Sequence, residues 1–208
     1  DGTIDIVKRY EDRISIFKSE PDAGIYDGLN KGISLATGDI IGFLHSDDFY
    51  HDENVIEVVA DTFKTHQTDS VYSDLVYVNK DNKDQVIRYW KSSDFSLKKL
   101  HRGWMPPHPT FFVKRDVYLE AGFFDTSFRI AADYDIILRF LGKHEITTKY
   151  IPKVLIHMRT GGESNKSLNN LIQKSKDDYR AMKNNGVGNI FGLIVKNIRK
   201  IPQFLMRK

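Results

Sequence analysis

The stretch from Gly38 to Tyr50, GDIIGFLHSDDFY, constrains the fold more tightly than any other part of the chain. It sets an apolar run, Ile40-Ile41-Gly42-Phe43-Leu44, directly against His45-Ser46-Asp47-Asp48. A short run that is apolar at nearly every position reads as a strand covered on both faces, the habit of a largely parallel sheet flanked by helices. Two adjacent carboxylates at the end of such a strand repel each other unless water, a partner or a cation intervenes. In open α/β sheets that end is also where ligands sit. The feature therefore predicts both a layered α/β fold and the place of its site.

The flanking segments agree with that layering. Apolar residues at Ile4, Ile6, Val7 and Tyr10 predict a helix over residues 3–13, and ISIF (residues 14–17) reads as a short strand. After the loop SEPDAG, the stripe Ile25, Leu29, Ile33 and Ala36 predicts a helix that Gly38 ends. A helix is expected from about Glu53 to His66, with Asp52 as its N-cap, followed by a strand over residues 70–78. VIRYW (residues 86–90) returns as its hairpin partner across the turn KDNKD. The prolines of HRGWMPPHPTFF predict a loop that gives way to a strand at TFFV, and residues 116–121 form a short helix closed by Gly122. A longer helix covers residues 132–141, residues 146–158 are strand-like around Pro152, TGGES is a turn, and the remainder is helical. Alternation of this kind argues for an α/β layered sheet.

Composition removes several function classes. With no cysteine in 208 residues, a disulfide framework, a thiolate zinc site and a cysteine nucleophile are all excluded. A formal charge of +3 is too small to argue for nucleic acid, and no partner of that kind is expected. The charged opening DGTIDIVKRYEDR does not read as a signal peptide, and no apolar run reaches the roughly 18 residues of a membrane span. The expected location is the cytoplasm.

Hard divalent cations prefer oxygen ligands, and Mg²⁺ typically takes one or two carboxylates together with substrate phosphates. The pair Asp47-Asp48 fits such a site, because Asp52 already stands where the following helix needs its cap. SEPDAGIYDGLNKGISLATGDIIGFLHSDD resembles the donor-binding half of family-2 glycosyltransferases with the GT-A fold, whose carboxylate motif closes a strand before a metal-bound sugar nucleotide. WMPPHPTFFVKRDVY, GFFDTSFRIAADYDIILRF and GGES resemble the acceptor half of the same family in the same order. The resemblance covers about residues 1–165, leaving residues 166–208 as a helical, basic extension.

That resemblance implies a nucleotide-diphosphate sugar donor, a glycan or lipid-linked acceptor, a Mn²⁺ or Mg²⁺ cofactor, inversion at the transferred sugar, and work in bacterial surface polysaccharide assembly. Asp48 would ligate the metal, and Asp47 would contact the nucleotide ribose or the metal shell. Asp22 would lie near the nucleotide with Asn30 and Lys31 as neighbours. The family's base lies in an acidic pair before an aromatic residue; here the pair reads Ala132-Asp133-Tyr134, which assigns the base to Asp133. The spacing to Ile136 and Ile137 predicts that Asp133 faces inward, while Asp135 points elsewhere and can pair with Arg139. In the first turn the helix dipole favours an ionised Asp133.

His108 is a candidate for acceptor binding, His157 for a further metal ligand or phosphate contact, and Arg159 for a phosphate. Trp104 and Tyr134 could offer a platform for a sugar ring. The opening Asp1-Gly2-Thr3 matches only the end of the family's second strand loop, so weak or no transferase activity is expected of this chain alone unless another copy or partner supplies the missing strands. Homo-oligomers are one such route. Ile190, Ile194, Ile198, Ile201 and Leu205 recur at helical spacing beside Lys196, Arg199 and Lys200, with Pro202 as a kink. Such a helix either lies on an anionic membrane as a peripheral contact or packs on its own domain. Two rivals remain: a nucleotidyltransferase, against which the lack of a Gly-rich basic phosphate loop near the start counts, and a sugar-nucleotide or glycan binding module without turnover.

Overall fold

The computed structural model describes residues 2–160 and 168–198. Its strands are β1 (Ile40–Ile41), β2 (Asp48–Tyr50), β3 (Ser70–Val78), β4 (Val86–Trp90), β5 (Phe112–Lys114) and β6 (Thr148–Arg159). Its helices are α1 (Thr3–Lys8), α2 (Ile25–Leu35), α3 (Val55–His66), α4 (Leu97–His101), α5 (Arg115–Ala121), α6 (Ala132–Leu138), α7 (Leu168–Asn185) and α8 (Ile190–Ile198). One mixed sheet runs β1-β5-β3-β6-β2, with β4 paired to β3. The long pair β3–β6 is parallel, while the ladders β1–β5, β2–β6, β3–β4 and β3–β5 are antiparallel.

Side chains alternate across a sheet, so neighbours in sequence feed opposite layers. Val71, Leu75 and Phe112 join Val55, Val59 and Phe63 of α3 in one apolar cluster. Tyr72 and Val113 join Tyr118, Ile137, Phe140 and the C-terminal helices in the other. A helix layer on each face is what the alternation of elements predicts.

Four expectations need correction. The sheet is mixed rather than largely parallel, and the apolar run forms a ladder only at Ile40-Ile41. Gly42 passes so close to the Phe112 ring that a Cβ there would come within 2.3 Å, and the chain then leaves the sheet with Leu44 46% exposed. ISIF is extended but joins no described ladder, and Ile16 and Phe17 are exposed. The N-cap position of α3 is Asn54, not Asp52; Asp52 instead accepts the Asn54 backbone N–H at 2.8 Å and turns the chain ahead of the helix. The helix expected over residues 132–141 is α-helical to Leu138 and widens to a π turn over Arg139–Lys143. The turn residues 161–164 and the tail beyond residue 198, including Ile201, Leu205 and Pro202, lie outside the described residues.

Candidate active site

Asp48 opens β2 after a tight turn in which its N–H donates to the His45 carbonyl at 2.9 Å. The turn leaves Asp47 exposed and folds Asp48 inward to 9% exposure. One carboxylate oxygen of Asp48, Oδ2, is buried without a hydrogen-bond partner. Burial, and after it the charge of Asp47, push the Asp48 carboxyl up to about 6. Buried polar atoms are nearly always paired, so an orphaned carboxylate oxygen costs stability, and a cation beside it would remove that cost. Among the described residues no three His, Asp or Glu side chains gather into a closed metal cage. An ion here would need substrate oxygens to complete its shell, as Mg²⁺ commonly does.

From this turn a chain of side chains leads to α6. The His45 ring lies 5.7 Å from that of His108, and His108 Nδ1 is 3.2 Å from Asp133 Oδ2. His108 is held by the 3₁₀ turn His108–Thr110, whose Thr110 hydroxyl accepts from the Ser73 N–H and donates to the Pro107 carbonyl, tying the turn to β3. Burial pushes His45 down to about 4, with His108 adding to the shift and Asp133 opposing it. His108 is shifted the same way, mainly by burial, against the pull of Asp133. Both rings are therefore neutral near pH 7, and a neutral His108 can donate its Nδ1–H to the Asp133 carboxylate. Asp133 keeps a quarter of its side chain exposed, enough to meet a substrate.

Strand register sorts the remaining candidates. Asp48 lies opposite Met158, whereas His157 lies opposite Phe49, one residue along and so on the other face of the sheet. His157 does not join Asp48. It stacks on His51, with His51 Nδ1 and His157 Nε2 2.8 Å apart. Arg159 shares the side of His157, with its guanidinium 5.7 Å above the Phe49 ring. Met158 also pairs with Tyr77, which places Tyr77 on the side of Asp48. The Tyr77 phenol is raised by burial and, further down, by the fields of both Asp48 and Asp133, while Arg88 opposes them. Tyr77 and His45 were not singled out from the sequence. The place of His45 two residues before Asp47 was the one available signal for it; Tyr77 is reached only through the register of three strands.

A second region lies around α2. An open cleft of about 590 Å³ is lined by Ser15, Lys18, Asp22, Lys31 and Thr37 among others, and ends at Gly38 where β1 begins. Asp22 Oδ1 accepts the Gly24 N–H at 2.9 Å. Lys31 reaches Glu20 and Asp27, each at 3.1 Å, so its charge is already shared with two carboxylates. Asn30 does not face this cleft: its amide pairs both ways with the Phe124 backbone at 2.9 Å and pins α2 to the acceptor-side loop.

Two aromatic expectations separate as well. Trp104 keeps part of its indole exposed while its edge meets Tyr72. Tyr134 is 1% exposed and lies under the Lys196 ammonium, 3.1 Å from its ring centroid, so it is core and offers no surface to a sugar. The orientation of the acidic residues on α6 is also the reverse of the expected one. Asp135 is the buried member, bonded by Asn185 Nδ2 at 2.8 Å and 3.7 Å from Arg139, while Asp133 stays partly exposed beside His108.

The comparisons with known proteins bear on the family and the fold. The sequence pattern described as Glycosyl transferase family 2 matches residues 1–132, ending one residue before Asp133. A PGL/p-HBAD biosynthesis glycosyltransferase of Mycobacterium bovis is 27% identical over 169 residues, 79% of this chain and 64% of that protein. The chondroitin synthase of Pasteurella multocida is 27% identical over 184 residues, covering 86% of this chain and 18% of that one. In structure, S. aureus TarS 1-349 in complex with UDP-GlcNAc superposes with a TM-score of 0.63 at 15% identity, over 89% of this chain and 53% of that one. The chain thus spans less than two thirds of the length of these relatives. The likeness to TarS gives the fold, a GT-A-type mixed sheet with flanking helices. With the family pattern matching residues 1–132, more than half of its length, the chain belongs to glycosyl transferase family 2.

Proposed function

We propose that the chain is the core of a metal-dependent, inverting glycosyltransferase that moves a sugar from a nucleoside diphosphate to a glycan or lipid-linked acceptor. The observation that carries this reading is the orphaned Asp48 Oδ2 together with Asp133, held by His108, the two carboxylates acting on the same Tyr77 phenol. The relatives, which include a PGL/p-HBAD biosynthesis glycosyltransferase and a chondroitin synthase, support a role in polysaccharide assembly. The UDP-GlcNAc complex of TarS supports a nucleotide-sugar donor.

Asp48, with Asp47 beside it, would hold Mn²⁺ or Mg²⁺, and the ion when bound would stabilise the charge on the departing diphosphate. The protein's own part is proton transfer and positioning. Asp133 takes the proton of the acceptor hydroxyl as that oxygen bonds to the anomeric carbon, while the bond from that carbon to the diphosphate oxygen breaks on the opposite face. His108 donates to Asp133 and fixes which carboxylate oxygen faces the acceptor. Trp104 offers an edge for the acceptor ring, and the cleft beside α2, with Asp22 and Lys31 in its lining, supports a nucleotide site there.

Calorimetric titration of UDP and GDP, with and without Mn²⁺, tests the donor end. Metal-dependent binding that is lost in Asp48→Asn is expected. Binding of neither nucleotide, in this chain and in one extended at its N-terminus, would overturn the reading. Binding that persists in Asp133→Asn and never yields product, even from the unaltered chain, would leave a binding module instead.

A further inference from the structure

Helix α8 carries two unlike faces. Gly192, Leu193 and Lys196 are buried. A Cβ at Gly192 would come within 2.5 Å of the His101 carbonyl, so the helix seats backbone to backbone on the end of α4. Lys196 Nζ meets Asp178 Oδ1 of α7 at 2.7 Å and covers the Tyr134 ring of α6. The other face carries Ile190, Phe191, Ile194 and Ile198, each between 51% and 61% exposed. Ile190, Ile194 and Ile198 fall one per turn, so they form a continuous stripe. Because the one charged residue of α8, Lys196, points inward, this stripe holds no charge. An apolar surface of this kind marks an interaction site.

Charge identifies the occupant. Residues 179–208 contain seven Lys and Arg and no Asp or Glu. Since the whole chain carries +3, residues 1–178 carry a net −4, and the cations are gathered at one end. Lys98 and Arg102, exposed on and just after α4, stand on the element that α8 rests against. An uncharged stripe in a stretch of sequence rich in cations and free of carboxylates matches the boundary between acyl chains and anionic headgroups. No described helix is long and apolar enough to cross a membrane, so the contact lies on one surface of the bilayer.

We propose that α8 is a docking face for an anionic lipid bilayer, with Ile190, Phe191, Ile194 and Ile198 entering the acyl boundary and cations adjacent in sequence lying among the phosphates. Lys196 couples this face to Tyr134, the residue next to Asp133, so docking holds the pocket at a fixed height above the lipid. Only that last consequence, delivery of a lipid-linked acceptor, rests on the transferase reading.

The test is co-sedimentation of the full chain, without nucleotide or metal, with vesicles of phosphatidylglycerol and phosphatidylcholine and with vesicles of phosphatidylcholine alone. Binding to the anionic vesicles is expected, weakened by about 0.5 M salt, and reduced about tenfold by the pair Ile194→Asp and Ile198→Asp. The pair Ile190→Ser and Phe191→Ser serves as a second variant, and an unchanged melting curve shows that each variant is folded. Absence of binding to anionic vesicles, equal binding to neutral ones, or binding unchanged in both folded variants overturns the proposal. So does a lipid-free dimer that the same variants dissociate, which would assign the face to a second copy. Nucleotide binding is read separately, so a failed transferase reading leaves this outcome intact.

Discussion

A carboxylate that is 9% exposed and has an oxygen without a partner, as at Asp48, weakens the protein until a cation arrives. Its folded value of about 6 lies above the ordinary 3.8, so between those pH values the folded chain keeps a proton that the unfolded chain has released. Stability therefore falls as pH rises through that window, by about 3 kcal/mol once both states are ionised. Asp48→Asn removes this penalty. In EDTA at pH 7.5 the variant should melt higher than the parent, the two should converge near pH 4, and Mn²⁺ with UDP should raise the parent alone. Equal melting curves at both pH values would count against a strained Asp48. The two acidic residues of α6 predict a contrast of their own. Asp133→Asn should lower turnover by about 10²- to 10⁴-fold with little change in stability. Asp135→Ala, which strands Arg139 and Asn185 in a buried setting, should cost about 3 kcal/mol in urea denaturation. This contrast was half legible beforehand: spacing found the Asp135–Arg139 pair, but it placed Asp133 on the inward side. Tyr134, Asp135, Ile136, Ile137 and Leu138 are all buried, so α6 has no single inward stripe for spacing to detect.

At the scale of elements, helices with a buried face were read well because that face leaves a 3.6-residue period in the sequence, whereas α1, expected over residues 3–13, ends at Lys8 and buries no residue. The stripe of α2 and the apolar positions Val55, Val59 and Phe63 of α3 are examples. Short strands were read less well. ISIF and the Gly42-Phe43-Leu44 end of the apolar run have strand composition, yet a ladder needs a partner in register, and partners lie far away in sequence. The same limit hid the face that His157 takes, which follows from its pairing opposite Phe49. The C-terminal helices show the reverse case, where a sequence pattern was clear and its use was open. The basic, apolar period of α8 fitted either packing or exposure, and the structure has both, on opposite faces. Its inward anchor is testable by itself. Lys196→Met leaves the Asp178 carboxylate buried at 2% side-chain exposure without its cation, at a cost of about 3–5 kcal/mol. The double variant Lys196→Met with Asp178→Leu should recover most of that loss, measured by denaturant unfolding. A double variant no more stable than the single one would mean that the pair contributes through geometry that apolar side chains cannot replace.

Across the whole molecule, family resemblance and packing divide the chain differently. The resemblance stops near residue 165 and invites a division into a catalytic part and a helical extension. Packing does not follow that line: Ala181, Met182, Val187 and Leu193 belong to the same buried cluster as Ile33 of α2, Tyr118 of α5 and Ile137 of α6. Tyr134 and Gly103, beside the pocket, are covered by Lys196 and Gly192 of α8. Removing the segment after residue 165 would expose this cluster to water at about 25 cal/mol for each Å² of apolar surface uncovered, a large toll on a domain whose net stability is on the order of 5–15 kcal/mol. The full chain should therefore unfold in one calorimetric transition, with its calorimetric and van't Hoff enthalpies equal. A chain ending at residue 165 should show no cooperative transition and should aggregate. A cooperative melt from that shorter chain, close to the parent's, would make α7 and α8 a detachable appendage. It would also remove the mechanical link between the lipid-facing stripe and Asp133, because an appendage that leaves the core unchanged when deleted cannot hold the pocket at a fixed height.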